Sequence, residues 1–335
     1  MKKKIAIIGS GVAGLTLANF IKKNSDFEFM VYEKEESLSL EEGFGIQLAT
    51  NSVSILNKIN FKNIQSEEIY HPEKLNFLSI KNYKICDLDI SKFNSTDIKY
   101  TTLKRSTLIE FLKDEIYTQH LRFGKRIKKV SKIKDKILIN FEDNTNDLVD
   151  YVAAADGIFS NTRAFFENRK VIPKFKNSIA IRTILKSKPK LDIDEKNINL
   201  IMGSNTHLVI YPVNKKSELN LVCIVREKKF DPSNIRNLIN NKILNQNQNL
   251  DVLFQGDLKS WSLFSTKTTF PSSNKKVFYV GDAFHGFLPS MAQGASQSIE
   301  SSYELFNLLK NDNQNAHNIY FKPRSARVKI IKRRS

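Results

Sequence analysis

KIAIIGSGVAGLTLANFIKKN, residues 4–24, runs closely into FEFMVYE, residues 27–33, and this pair of segments decides the fold of the 335-residue chain. Lys4 to Ile8 is a short β-branched apolar run, of the kind that lies buried in a parallel sheet. Gly9-Ser10-Gly11-Val12-Ala13-Gly14 follows, then an amphipathic helix through about Lys23. A second strand, Phe27 to Tyr32, ends at Glu33, 19 residues beyond Gly14. The G-x-G-x-x-G pattern thus has a strand before it, a helix after it and an acid closing the next strand, which is the setting a dinucleotide requires. Gly9 permits the tight turn, Gly11 lets the backbone approach a pyrophosphate, and Gly14 brings helix and strand together. The helix N-terminus, with Val12 and Ala13 in its first turn, offers unpaired N–H groups and a positive dipole end to phosphate. Glu33, with Lys34 beside it, can accept hydrogen bonds from ribose hydroxyls. By itself the unit does not separate FAD from NAD.

Composition sets the outer limits. The length suits one large domain or two interleaved ones. With 41% hydrophobic and 10% aromatic residues the chain can bury a core and is not disordered. Cys86 and Cys223 make neither a disulfide framework nor a metal cluster, so a reducing cytoplasm is the expected location. The formal net charge of +18 raises nucleic-acid binding as a class. Its lysines are scattered among Ile and Asn, however, and form no single stripe, so no nucleic-acid partner is expected. Only Lys322 to Arg334 is a concentrated basic run, a surface open to peripheral membrane contact. The start, MKKKIAIIGSGVAGLTLA, mimics a signal peptide, but three glycines interrupt the apolar run and it is too short to span a bilayer. A soluble monomer or homodimer is expected.

Further motifs follow along the chain. Gly43-Phe44-Gly45-Ile46-Gln47-Leu48 precedes Thr50-Asn51-Ser52 and Leu56; by itself this is a glycine loop opening a helix. Lys104-Arg105-Ser106-Thr107-Leu108 opens another helix. Tyr151 to Ala155 reads as a strand that ends at Asp156-Gly157, with Ser160 and Arg163 following. Asp156 caps the next helix, faces a cofactor, or does both. Val277 to Val280 reads as a late strand. It ends at Gly281-Asp282-Ala283-Phe284-His285 and leads through Pro289 to Gln293-Gly294-Ala295, where a helix begins. Residues 70–99 and 173–270 lack glycine fingerprints and alternate apolar with polar residues, as antiparallel strands do. In Gly203-Ser204-Asn205-Thr206-His207-Leu208-Val209-Ile210-Tyr211-Pro212, His207 and Tyr211 are four apart and face one side of a strand.

In this order the motifs resemble those of FAD-dependent monooxygenases of the para-hydroxybenzoate hydroxylase type, including salicylate-hydroxylase-like enzymes, over nearly the whole chain. The resemblance implies an α/β fold in which a three-layer, Rossmann-like FAD-binding domain (1–70, 100–172 and 271–335) interleaves with a mainly antiparallel substrate domain (71–99 and 173–270). It implies FAD and NAD(P)H as cofactors, and hydroxylation of a small aromatic or similar ring with O2 through a flavin hydroperoxide. Gly9, Gly11, Val12, Ala13, Gly14, Glu33 and Lys34 would hold the ADP half. Gly45, Gln47, Arg105 and Ile127 would meet the cofactor from the intervening segments, and Asp156, Gly157 and Arg163 would serve both FAD and the nicotinamide. Gly281, Asp282, Pro289, Gly294 and Ala295 would hold the ribityl chain and the flavin ring. His207 and Tyr211 are the candidates to face substrate as base and positioning group, with Pro289 beside the ring. His207 can equally be a satisfied, half-buried histidine, and His285 a packed core residue. The chain departs from the family at Phe284, at Met291-Ala292 and at Arg182, which lacks the family's preceding tryptophan. A reductase or dehydrogenase on the same fold, acting for instance on an isoprenoid, and a non-catalytic flavin-binding protein stay open. The halogenase W-x-W-x-I-P motif is absent.

Overall fold

The computed structural model describes residues 2–24, 27–38, 40, 44–167, 172–266, 271–289, 292–311 and 315–334. Gly43 and Met291, both singled out above, lie outside the described residues. The N-terminal run forms β1 (Lys4–Ile8), the middle strand of a five-stranded parallel sheet. The sheet order is β18 (Val277–Tyr279), β12 (Tyr151–Ala154), β1, β2 (Glu28–Tyr32) and β8 (Leu121–Arg122). Its strands read as continuous apolar runs because both faces are covered. Helix α1 (Val12–Asn24) lies between α3 (Arg105–Asp114) and α6 (Gly294–Lys310) on one layer. A three-stranded antiparallel sheet of β9 (Ile127–Ile133), β10 (Lys136–Phe141) and β11 (Asn146–Val149) adds another, with Phe141 packed on Tyr32.

The second large sheet has the order β17 (Lys259–Ser265), β13 (Lys174–Leu185), β16 (Leu219–Arg226), β15 (Thr206–Pro212), β14 (Ile198–Gly203), β5 (Lys74–Ser79) and β6 (Lys84–Asp89). All neighbours are antiparallel except β14 and β5, which run parallel. Alternation assigns its faces. Ile181, Leu208, Ile210, Leu221 and Cys223 are buried with Ile239 of α5 (Ile235–Ile239) and with Ile243 and Phe254. The opposite face carries Arg182, Asn220, His207, Tyr211 and Trp261, as the pairings Tyr211–Asn220 and Ala180–Trp261 require.

A small sheet of β3 (Gly45–Leu48), β7 (Thr101–Lys104) and β4 (Ile69–Tyr70) joins the two. Its backbone meets that second face directly. The Gly45 N–H donates to Asn220 Oδ1 at 2.7 Å, and the Thr102 hydroxyl donates to the Pro212 carbonyl. Helices α2 (Thr50–Asn57), α4 (Asn161–Glu167) and α7 (Ala316–Arg334) complete the chain. No helix among the described residues is long and apolar enough to cross a membrane.

Candidate active site

The strand–glycine–helix turn behaves as its residue types require. Gly9 has φ +104° and donates its N–H to the Tyr32 carbonyl. A Cβ on Gly14 would lie 2.0 Å from the Gly9 carbonyl oxygen, so only glycine allows α1 this close to β1. A Cβ on Gly11 would meet nothing within 4 Å, because Gly11 borders a cleft of about 300 Å³. Gly9, Glu33, Lys34, Arg105, Ile127, Asp156 and Gly157 line the same cleft. Glu33 Oε2 sits at its floor and accepts from the Ser10 N–H (2.9 Å) and hydroxyl (2.7 Å). Asp156 Oδ2 accepts from the Thr162 N–H at 3.0 Å, so it caps α4, while its Oδ1 is buried with no hydrogen-bond partner among the described residues. Burial pushes the Asp156 carboxyl above the usual carboxylate range.

The late unit joins the early one through small residues. Gly281 has φ +60°, and a Cβ there would fall 2.8 Å from Ala13 Cβ and 2.9 Å from Ser298 Oγ. Ser302 donates to the Ala13 carbonyl at 2.8 Å. The two ends of the chain therefore form one surface, with Asp282 on the turn between β18 and α6. Asp282 Oδ1 is buried and has no hydrogen-bond partner among the described residues. Burial pushes this carboxyl up to about 7, against a downward pull from Lys332. Gly294 and Ala295 open α6, whose N-cap residue Gln293 makes no side-chain capping hydrogen bond. The first-turn N–H groups of α6 thus carry a partial positive charge at this end. Pro289 is half-buried in the preceding segment.

On the face of the large sheet that meets the small sheet, Tyr100 donates its hydroxyl to Gln47 Oε1 at 2.7 Å, and Gln47 in turn hydrogen-bonds the buried Tyr211 hydroxyl. Burial raises the Tyr211 phenol far above its ordinary value, so it keeps its proton at neutral pH. His207 shares that face four residues away along β15, and burial lowers its imidazole, so it is neutral and able to accept a proton; neither His207 nor Tyr211 lines the small pocket at Trp261. Arg182 stands over Trp261, and with Phe44 and Arg105 they line a small pocket of about 200 Å³. Arg105 thus borders both this pocket and the dinucleotide cleft.

These features fit FAD. The glycine cradle and Glu33 suit the ADP half, and the orphaned Asp282 oxygen suits the hydroxyls of a ribityl chain. The model of the FAD binding domain family matches residues 2–318. The chain belongs to this family. Its cofactor is FAD. Among curated relatives, 6-hydroxynicotinate 3-monooxygenase of Bordetella bronchiseptica is 23% identical, covering 99% of this chain and 90% of the relative. Salicylate hydroxylase of Pseudomonas putida is 21% identical over 91% of this chain and 76% of its own length. Among solved structures, Klebsiella pneumoniae HpxO complexed with FAD and uric acid superposes with a TM-score of 0.86 at 18% identity, over 99% of this chain and 86% of that one. The FAD-binding fold and the likeness to the hydroxylases expected from the motifs are thereby established.

Some residues stand elsewhere than their spacing implies. Arg163 is buried, donates to the Ala283 carbonyl at 3.2 Å and lies over the Tyr279 ring, away from the lining of the dinucleotide cleft. Gly45 is held to glycine by protein, since its Cβ would come 2.6 Å from Asn220 Cβ and 2.7 Å from Val213 Cγ1. His285 is buried between Phe284 and Phe287, and burial and then Arg324 hold its pKa down at about 3. Lys125 and Arg126 line the dinucleotide cleft and were not anticipated. The sequence signal was available: the basic pair follows Gly124, which turns the chain at φ +66° beside the cleft residue Ile127.

Proposed function

We propose that this chain is an FAD-dependent monooxygenase that uses NAD(P)H and O2 to hydroxylate a small, electron-rich aromatic ring. In the overall reaction a ring C–H, O2, NAD(P)H and a proton give ring C–OH, water and NAD(P)+. The observation that carries the reading is Arg105, which borders both the dinucleotide cleft and the aromatic pocket over the sheet, so one extended cofactor reaches a ring-sized site. The relatives' names point to the substrate class, a hydroxylated aromatic acid of single-ring size. When bound, the flavin supplies the two-electron link between nicotinamide and O2.

The chain's own residues have the following proposed roles. Residues 1–70, 100–172 and 271–335 hold the cofactor, and 71–99 and 173–270 present the substrate face. Glu33 accepts from the ribose and Asp282 from the ribityl chain. The N-terminus of α6, beside Pro289, stabilises negative charge on the reduced ring. Neutral His207 takes the proton of the substrate hydroxyl, and protonated Tyr211 donates a hydrogen bond that fixes the ring.

The test is turnover under ¹⁸O2 with 6-hydroxynicotinate, salicylate and related acids. One labelled oxygen in the product, formed with NAD(P)H consumption, is expected. NAD(P)H-dependent reduction of an added olefin or carbonyl without oxygen incorporation would favour the reductase instead. In the same assay His207→Ala should lower product per NAD(P)H and raise hydrogen peroxide, with flavin reduction little changed. General-base catalysis is commonly worth about 10²–10⁴-fold. Unchanged coupling would leave His207 a half-buried structural histidine.

A further inference from the structure

A further groove on the substrate side shares Phe44 with the small aromatic pocket and, among the described residues, no lining residue with the dinucleotide cleft. It holds about 900 Å³ and lies between Phe44 and Lys104 of the cofactor side and the turns at 183–190 and 252–259 of the sheet side. Five lysines line it, Lys104, Lys186, Lys188, Lys190 and Lys259, against two acids, Glu218 and Asp257. Lys104 pairs with Glu218 and Lys188 with Glu195, whereas Lys186, Lys190 and Lys259 form no salt bridge with a described residue. At its inner end Phe44 also lines the small pocket with Arg105, Arg182 and Trp261, and meets the Trp261 ring edge-on at 5.2 Å. Phe44 therefore stands between the groove and the pocket that Arg105 shares with the dinucleotide cleft.

We propose that this groove docks the nicotinamide dinucleotide, with its diphosphate on Lys186 and Lys190 and its nicotinamide end passing Phe44 towards Arg105. The proposal rests on the monooxygenase reading above, which requires NAD(P)H. Two properties favour this ligand over the aromatic substrate. A single substituted ring would leave most of a 900 Å³ groove empty, whereas an extended dinucleotide fills a space of that order. Lys186 and Lys190 are exposed and lie four and eight residues along the chain from Arg182 of the aromatic pocket, as a diphosphate several bonds from its reactive ring requires. Lysines at an open mouth raise the local concentration of such an anion and speed its capture.

The experiment is anaerobic stopped-flow reduction of the FAD-loaded protein over a range of NADH and NADPH concentrations, for wild type and for Lys186→Glu/Lys190→Glu. The dissociation constant of the nicotinamide should rise about tenfold or more at low salt, with the limiting reduction rate and the FAD affinity unchanged. Lys186→Arg/Lys190→Arg should restore it, and added salt should weaken the wild type more than the charge-reversed variant. An unchanged nicotinamide dissociation constant overturns the inference, as does a change confined to KM for the aromatic acid. If neither NADH nor NADPH reduces the wild type, the monooxygenase reading fails and this inference with it.

Discussion

Asp282 shows most directly how a single side chain records an absent partner. The Gly281 turn leaves it half-buried, with its Oδ1 shielded from solvent and without a hydrogen bond among the described residues. An unpaired buried acceptor costs about 1–3 kcal/mol, which a ribityl hydroxyl would recover. Asp282→Ala should therefore lower FAD affinity tenfold or more while leaving far-UV circular dichroism unchanged, and titration of the apoprotein with FAD measures both. The apoprotein should also report the strain through pH. The Asp282 carboxyl is raised by burial to about 7 when folded, so the folded apoprotein favours the protonated form. Its contribution is most favourable below the unfolded pKa of about 4 and is lost as pH rises towards 7. Urea midpoints of the apoprotein should fall between pH 5 and pH 8, and fall less in Asp282→Asn. Equal pH dependence in the two proteins would show that Asp282 is already satisfied.

At the scale of elements, α6 is held at two places with different chemistry. Near its start, serines and Gly281 allow close packing on α1. Farther along, Glu300 receives Arg324 at 3.2 Å and Arg327 at 2.6 Å from α7, and Asn51 of α2 also donates to it. Although burial pushes the Glu300 carboxyl upward, the Arg327 and Arg324 guanidiniums hold it below the usual range. Arg324 is wholly buried and also pairs with Glu304. Removing one partner of such a network leaves buried charge uncompensated, a cost of about 3–5 kcal/mol. Arg324→Met should lower the melting temperature substantially, and Arg324→Met/Glu300→Gln should regain part of the loss. A melting temperature equal to wild type would mean that the network contributes nothing net. The same contacts explain the basic tail, since Arg324 and Arg327 are engaged within the fold and Lys332 donates to the Thr266 carbonyl at 2.8 Å.

For the whole molecule, the decisive contact is the one between the cofactor side and the large sheet at Gly45. The chain passes from β4 in the small sheet to β5 and β6 in the large one, returns at β7, and enters the large sheet again at β13, so loop connections alone do not set how the sheets meet. The Gly45–Asn220 hydrogen bond and the close approach of Val213 set it together with the Thr102–Pro212 hydrogen bond and the Lys104–Glu218 pair. Gly45→Ala would force a methyl into contacts of 2.6–2.7 Å, and overpacking of this kind costs about 1–3 kcal/mol. A lowered melting temperature and a more solvent-exposed flavin fluorescence are expected together. If the melting temperature fell while the flavin spectrum stayed unchanged, Gly45 would matter to local packing only.

The strand–glycine–helix unit, the late Gly281-Asp282 turn and the alternating strands were legible in the sequence because each follows from local rules: periodicity, φ > 0 at glycine, an acid at a strand end. Helix limits were legible to within a residue or so, α1 ending at Asn24 and α6 beginning at Gly294. What the sequence by itself determined is therefore a dinucleotide-binding unit at the start of the chain and the order of its motifs, with FAD implied by the resemblance those motifs carry. Tertiary structure decided the rest, because partners distant in sequence set it. Arg163 has the spacing of a phosphate ligand, yet the approach of Ala283 and Tyr279 takes it into the interior. Lys125 and Arg126 read as surface charge until Gly124 turns them against the cleft. Gly45 and Asn220 are 175 residues apart, and no local rule links a glycine in one strand to an asparagine in another sheet. Burial, which sets the charge states of Asp282, His207 and Tyr211, depends on every element packed around them and so exists only in the folded chain.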